Sequence, residues 1–367
     1  MKVTCDREKL REGLAIVNGV VPTKSTKPIL ENVYLVATDH TLELVGSDQE
    51  VSVRYRIDDV EVADPGPALV PARVAFDFVR DLSGETITLD STSGTKCILT
   101  SGADRCELVV ADHDEYSPIA RFEDHASISV QGGNFTRLVG RTAFAAAREP
   151  GRYAMHGVLV LLADDKLTFI GTDGRRLSKA SIPVDMGGAP PCQAIVPTKG
   201  MQLFCRVIQD PLDQIHFVIR ENQVGLRSRN AETFARLIDG EYPRYESVIP
   251  AHCSHSFEAD PELLGRKLRL VANVSGDEQR AVRLRLRQGE LELFGRASGR
   301  GNATANLEVD YKGEETEIAF NPEFVLDGLK NGDSDRIRVE FENRTSPGKF
   351  LLGEEHIYIV MPITFDA

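Results

Sequence analysis

The sequence predicts an α+β fold of three repeated domains, each with two helices packed on antiparallel sheets. Three observations lead there. Segments recur at a spacing of about 125 residues, each repeat holds two helical patterns with an apolar stripe, and short alternating strands outnumber the helices.

The period is read from three markers. A strand leading into an amphipathic helix starts at Val3, Ser129 and Phe257, and Leu10, Leu138 and Leu264 align at separations of 128 and 126 residues. A strand ending in a glycine turn sets Gly46, Gly171 and Gly295 apart by 125 and 124 residues. A second strand-to-helix join puts Pro71, Pro197 and Pro322 at the opening of a helix, 126 and 125 residues apart. Proline suits a first turn because the N–H it lacks would have had no intrahelical acceptor. One order and one period place domains at 1–123, 128–250 and 256–367.

Within the first repeat, Leu10, Leu14 and Val17 recur at four and three residues and share the buried face of the first helix. Arg7, Lys9 and Arg11 are left to project elsewhere. Strands are expected at Val33–Val36, Leu42–Val45, Val51–Arg56, Thr86–Leu89, Lys96–Leu99 and Glu107–Val110. Leucine alternates with glutamate in Leu42-Glu43-Leu44, the pattern of a half-buried strand. Short strands with polar turns favour antiparallel over doubly wound parallel sheet. The second helix is expected to bury Val74, Phe78 and Leu82, with Arg73 and Arg80 nearer solvent.

Composition narrows the function. The chain is 41% hydrophobic, and no apolar run approaches the roughly 18 to 20 residues that cross a bilayer, so no membrane partner is expected. The mixed charge of the N-terminal run Met1–Gly13 points to a cytoplasmic protein. Net charge is −13, which disfavours nucleic-acid binding unless a basic surface is segregated from an acidic exterior. Tryptophan is absent, so base stacking on aromatic side chains is not the expected mode. The six cysteines form no CxxC pair, and Cys253 with His252 and His255 has no second ligand cluster, so no metal or other cofactor is expected.

Catalytic motifs are missing. GxxxxGK, HExxH and GxSxG do not occur. Thr172-Asp173-Gly174-Arg175-Arg176 offers an acid beside bases, but Ser47-Asp48 and Arg296-Ala297 hold the same place after the strand in the other repeats, so a scaffold turn explains it. Asp112, Asp114 and Glu115 read as a solvated acidic loop, and no enzyme activity is expected. Three like domains in a row can form an arc that a two-fold dimer closes into a six-domain ring, or an open three-lobed monomer.

A set of runs decides between these: Lys27-Pro28-Ile29-Leu30, Val70-Pro71-Ala72-Arg73, Gly171-Thr172-Asp173-Gly174-Arg175-Arg176-Leu177, Ile195-Val196-Pro197-Thr198-Lys199-Gly200, Leu237-Ile238-Asp239-Gly240-Glu241-Tyr242-Pro243-Arg244-Tyr245 and Tyr358-Ile359-Val360-Met361-Pro362-Ile363. In this order, over residues 1 to 366, the chain resembles the bacterial sliding-clamp family, the beta subunit of DNA polymerase III. The resemblance implies half of a six-domain, head-to-tail homodimeric ring that encircles duplex DNA without sequence preference and gives the replicative polymerase its processivity. A separate ATP-driven loader would place it on DNA.

The same resemblance implies residue roles. Helix cations would line the hole: Arg73, Arg80, Arg137, Arg141, Arg148, Lys199, Arg206, Arg266, Lys267 and Arg269, with Lys24 on a loop. Phosphate contacts of this kind are sequence-independent and weakened by salt. A groove would receive short linear peptides of the polymerase, the clamp loader and repair proteins. Its wall would be Arg152, Met155, Thr172, Gly174, Arg175, Arg176, Leu177, Pro243, Ser247, Val248, Val360, Met361, Pro362 and Ile363. Arg175 stands where the family commonly has His and Ser247 where it commonly has Arg, and Phe365 in the tail is placed to shade the groove. Cys106 and Leu108 would meet Asn273 and Val274 across the dimer interface. The alternative is a three-domain binding or scaffold protein that does not encircle DNA, with a hydrolase centred on Asp173 as a third reading.

Overall fold

The computed structural model describes all residues except 118, 124, 152, 275–280, 298, 300 and 365–367. Its helices are α1 (Arg7–Asn18), α2 (Ala72–Asp81), α3 (Gly132–Thr142), α4 (Thr198–Val207), α5 (Pro261–Ala272) and α6 (Pro322–Asn331). The element order strand, helix, four strands, helix, three strands occurs three times, so the chain is three tandem α+β domains. The first domain adds the strand Glu61–Asp64, paired with Lys2–Asp6, which the alternation of the sequence did not signal.

Local chemistry sets the helix starts. Asp6 accepts a hydrogen bond from the Lys9 N–H at 2.8 Å and Asp260 one from the Leu263 N–H at 2.8 Å, each capping its helix. Pro71 and Pro197 close strands, and the helix begins one residue later. Pro322 is itself the first helical residue, because Asn321 before it accepts from the Glu323 N–H at 2.9 Å. On α1 the buried residues include Leu10, Leu14 and Val17, as the spacing predicts. On α2 the expectation fails: Ala72, Ala75 and Val79 are buried while Val74 is 51% exposed. Leu82 is buried as expected, at 8% exposure, but from extended backbone beyond the helix end at Asp81, so it is not part of a helical stripe with Val74 and Phe78.

Two compact units are distinguished. The first comprises 1–136, 185–190 and 199–237. It holds a five-stranded sheet ordered Glu61–Asp64, Lys2–Asp6, Thr86–Asp90, Lys96–Ser101, Asp104–Val109, with the last strand at an edge. Its eight-stranded sheet runs Ile128–Gln131, Gln214–Ile219, Gln223–Arg227, Ala231–Arg236, Val51–Asp58, Thr41–Ser47, Asn32–Thr38, Gly66–Pro71. That sheet joins the first and second repeats, with Ala235 opposite Val51 and Ala231 opposite Tyr55.

The second unit comprises 137–184, 191–198 and 238–367. Its eight-stranded sheet runs Cys192–Pro197, Gly157–Ala163, Lys166–Thr172, Arg176–Pro183, His356–Val360, Gly348–Gly353, Ile337–Phe341, His255–Ala259. Here the second and third repeats join, with Val360 opposite Arg176 and His356 opposite Ala180. A four-stranded sheet has Gly301–Glu308 at its edge, followed by Glu290–Ala297, Val282–Arg287 and Thr316–Phe320. Phe257, Leu264, Leu268, Phe341, Phe350 and Tyr358 pack the core of the third repeat.

Candidate peptide groove and basic helix faces

The groove residues gather around one turn of the second unit. After Lys166–Thr172 the chain reverses through Asp173-Gly174-Arg175 into Arg176–Pro183. Asp173 Oδ1 accepts from the Arg175 and Arg176 N–H groups at 2.9 and 3.0 Å. The Thr172 hydroxyl accepts from the Gly174 N–H at 3.1 Å and donates to the Arg176 carbonyl at 2.7 Å. Gly174 has φ +84°, a conformation that L side chains rarely adopt. Thus Asp173, the centre of the hydrolase reading, is spent on holding a turn.

Arg176 is the hub beneath. Its guanidinium bonds Asp173 at 3.0 Å, Asp327 at 2.6 Å and the Phe144 carbonyl at 3.2 Å, and it lies over the Phe324 ring at 4.7 Å. Only 10% of the side chain is exposed, so it supports the turn from beneath and does not line an exposed surface. Leu177 is 2% exposed and packs with Ala154, Leu159, Ile170, Ile195 and Ile359. Tyr242, Tyr245, Val248 and Ile249 cover that cluster.

Strand alternation corrects one assignment. Leu177 pairs with Ile359 and shares its face, whereas Val360, fully buried, points into the core of the third repeat. Val360 is therefore not a groove candidate; Ile359, 1% exposed, lies under the cluster with Leu177, and the partly buried Tyr242, Tyr245 and Ile249 are candidates in its place. No alternation in the sequence separates Ile359 from Val360, because both faces of His356–Val360 are buried. Met361 is 37% exposed, and its N–H donates to the Arg175 carbonyl at 2.8 Å. Met155 comes close to Gly174, Pro362 and Ile363 are half-buried, and Pro243 is half-buried beside exposed Ser247, whose hydroxyl donates to the Arg244 carbonyl. Arg175 is exposed. Arg152 and Phe365 lie outside the described residues.

The basic candidates divide. Lys24, Arg73, Arg80, Arg137, Arg148, Lys199, Arg206, Arg266 and Arg269 are exposed, and Lys267 is half-buried. Arg73 and Arg80 both pair with Asp77, and Lys199 pairs with Asp48. Arg141 must be withdrawn. It is 5% exposed, pairs with Asp333 and donates to the Glu354 carbonyl at 3.2 Å, so no phosphate can reach it. A buried cation keeps such partners because leaving either charge alone is costly.

Behind it Ser178 donates to the Arg141 carbonyl at 2.5 Å and sits 3.0 Å from His356 Nε2. Burial, with Arg141 nearby, pushes the His356 imidazole down to about 4. At the expected dimer contact, Leu108 points inward at 4% exposure, Cys106 is half-buried, and the neighbour Val109 is 71% exposed. Asn273 caps α5 and is exposed, and Val274 is half-buried. Burial raises the Cys106 thiol and pushes Cys5 and Cys97 up to about 12 and about 11, so all three stay protonated near neutrality. His255 Nδ1 is engaged with the Tyr311 hydroxyl at 2.7 Å, and exposed Asp112 and Asp114 lie with half-buried His113 within 4.8 Å of one another.

Comparison with known proteins accounts for this arrangement. Family models for the DNA polymerase III beta subunit match in order: its N-terminal domain over residues 1–120, its central domain over 129–244 and its C-terminal domain over 246–360. The beta sliding clamp of Pseudomonas putida is 29% identical over 367 residues, covering 99% of this chain and all of the relative. That of Escherichia coli K12 is 28% identical over 365 residues, again covering 99% of this chain and all of the relative. The crystal structure of the DNA polymerase III beta subunit from Pseudomonas aeruginosa superposes with a TM-score of 0.94 at 27% identity, covering both chains fully. The chain belongs to the DNA polymerase III beta subunit family.

Proposed function

We propose that this chain is a DNA sliding clamp, a non-catalytic processivity factor that encircles duplex DNA as a homodimeric ring and docks partner peptides in the groove beside Thr172–Leu177. As a member of its family it acts on DNA in the cytoplasm. Domain limits at 1–123, 128–250 and 256–367 belong to the same proposal.

One observation carries the ring. Sheets continue from repeat to repeat by a single rule: the last strand of one repeat pairs with the fourth common strand of the repeat before it. Ala231–Arg236 pairs with Val51–Asp58 in this way, and His356–Val360 with Arg176–Pro183. The rule leaves the last strand of repeat one, Asp104–Val109, and the fourth of repeat three, Gly301–Glu308, each at a sheet edge. An open edge seeks a partner. The strand that each edge lacks is the one that the other offers, so two chains close on each other through two identical junctions. Val109 on the first edge supplies apolar surface for that junction.

Enclosure replaces grip. A closed ring cannot leave DNA sideways, so Arg73, Arg266, Arg269 and their like need only weak, salt-screened phosphate contact, which lets the ring slide. Loader, polymerase and repair proteins compete for the groove, where Met155, Val248 and Met361 accept an apolar anchor.

Retention on nicked circular DNA, compared with the same DNA linearised, tests the ring. Escape from linear but not circular DNA is expected. Equal loss from both removes encirclement and favours the scaffold reading, as does a monomer by native mass spectrometry.

A further inference from the structure

We infer that the junction of the first and second repeats holds a second docking groove, which takes a short linear peptide with an apolar anchor flanked by one base and one acid. The inference rests on the reading that the Thr172–Leu177 turn frames a peptide groove, because that turn is built twice.

The copy is Ser47–Ser52. Asp48 Oδ1 accepts from the Glu50 and Val51 N–H groups at 2.9 and 2.8 Å, as Asp173 does from Arg175 and Arg176. The Ser47 hydroxyl accepts from the Gln49 N–H at 3.1 Å and donates to the Val51 carbonyl at 3.2 Å, as Thr172 does with Gly174 and Arg176. Gln49 has φ +80° where Gly174 has +84°. The Arg236 N–H donates to the Glu50 carbonyl at 2.8 Å, as Met361 does to Arg175 at 2.8 Å. Each residue of one frame thus has its counterpart in the other.

Side chains differ where a ligand would notice. Val51 stands in place of the Arg176 hub, and a cavity of about 360 Å³ opens beside it. Leu30, Val51, Tyr116, Ile119 and Phe234 supply its apolar wall, room enough for one large apolar side chain. Tyr116 is 8% exposed, and its buried hydroxyl makes no hydrogen bond of good geometry, only a looser approach to the Ser47 backbone.

The rim selects by charge. Arg175 at the second junction becomes Glu50 here, and Met361 becomes Arg236. Both Glu50 and Arg236 line the cavity and are exposed, and among the described residues neither makes an ion pair, while Asp48 is taken by Lys199. One unpaired charge of each sign complements a peptide that carries one of each.

The test uses the full-length protein and two fluorescein-labelled peptides with a Leu-Leu-Phe core. One is flanked by lysine and glutamate, made in both orders, and its twin is flanked by glutamate on both sides. Fluorescence anisotropy gives affinity, and hydrogen exchange gives the segment protected. The mixed peptide should protect Ser47–Ser52, bind about tenfold more weakly to Glu50→Arg, and lose that site in Ser117→Trp, which obstructs the cavity mouth. The acidic twin should gain about tenfold at this site in Glu50→Arg, and Met361→Asp should leave the mixed peptide bound. Loss of both peptides in Met361→Asp with no response to Ser117→Trp overturns the second groove and leaves docking at the second junction intact. Failure of both peptides to bind any form overturns both.

Discussion

The two junctions share a backbone and differ in what fills it. At the second, the buried cation Arg176 ties Asp173, Asp327, Phe144 and Phe324 together, and Arg141 with Asp333 and Ser178 with His356 add further polar links. At the first, Val51 takes the hub position, and the ionic links lie further along the strand. There Arg54 pairs with Glu43 at 2.8 Å, and Arg121 reaches the same carboxylate at 3.2 Å. Burial pushes the Glu43 carboxyl up, but the two arginines outweigh it and hold it below its usual range. Repetition keeps the turn frame, the carboxylate and hydroxyl bonds to backbone and the backbone bond between strands. It does not conserve the side chains between them, so one junction is sealed by charge and the other keeps a cavity.

The largest effect expected from this contrast is at Arg176. Arg176→Ala strands Asp173 and two aromatic faces, and should cost about 4 kcal/mol in urea unfolding. Val51→Ala, at the same place in the first junction, should cost about 1 kcal/mol. Equal losses would break the comparison.

Next is pH. His356 has a folded value of about 4 against 6.5 for the unfolded chain, so between these the unfolded state binds the extra proton. Its contribution is fully present above pH 6.5 and is lost as pH falls towards 4, to the extent of about 3 kcal/mol. His356→Gln should flatten that stretch of the stability–pH curve. An unchanged slope would mean that the second junction admits water to the imidazole.

Smaller effects come from the turns. Gly174→Ala should cost about 1 kcal/mol, since a β-carbon strains φ +84°. Gln49→Gly should add roughly 0.5 kcal/mol by relieving the same strain at the first junction. Opposite signs in thermal unfolding would sharpen the equivalence of the turns. Smallest is a single phosphate contact: Arg266→Ala should lower the slope of log affinity against log salt by about 1. Arg141→Ala should leave that slope unchanged while lowering stability, which separates the exposed cations from the buried one.

Much of this was legible in one dimension. Repeated markers announced three domains, and the 3.6 period identified α1 and its face because Leu10, Leu14 and Val17 face no competing stripe. On α2 two stripes competed, Val74–Phe78 and Ala75–Val79, and apolar size alone chose the wrong one. The Thr172–Leu177 turn was legible as a motif, but not the split between Leu177 with Ile359 on one face and Val360 on the other, since both faces of that strand are buried. Arg141 looked like any helix cation. Its carboxylate partner Asp333 lies 192 residues further along the chain, which no local pattern reveals.

By itself, the sequence determined the repeat, the strands and helices common to the three domains and the turn chemistry of Asp48 and Asp173. These follow from side-chain period and backbone geometry acting over a few residues. Tertiary structure alone decided which cations are buried, which face of a doubly covered strand meets which core, and where Val51 leaves room that Arg176 fills. Those outcomes depend on residues brought together from distant parts of the chain, and burial, not residue type, sets whether a charge meets water or a partner.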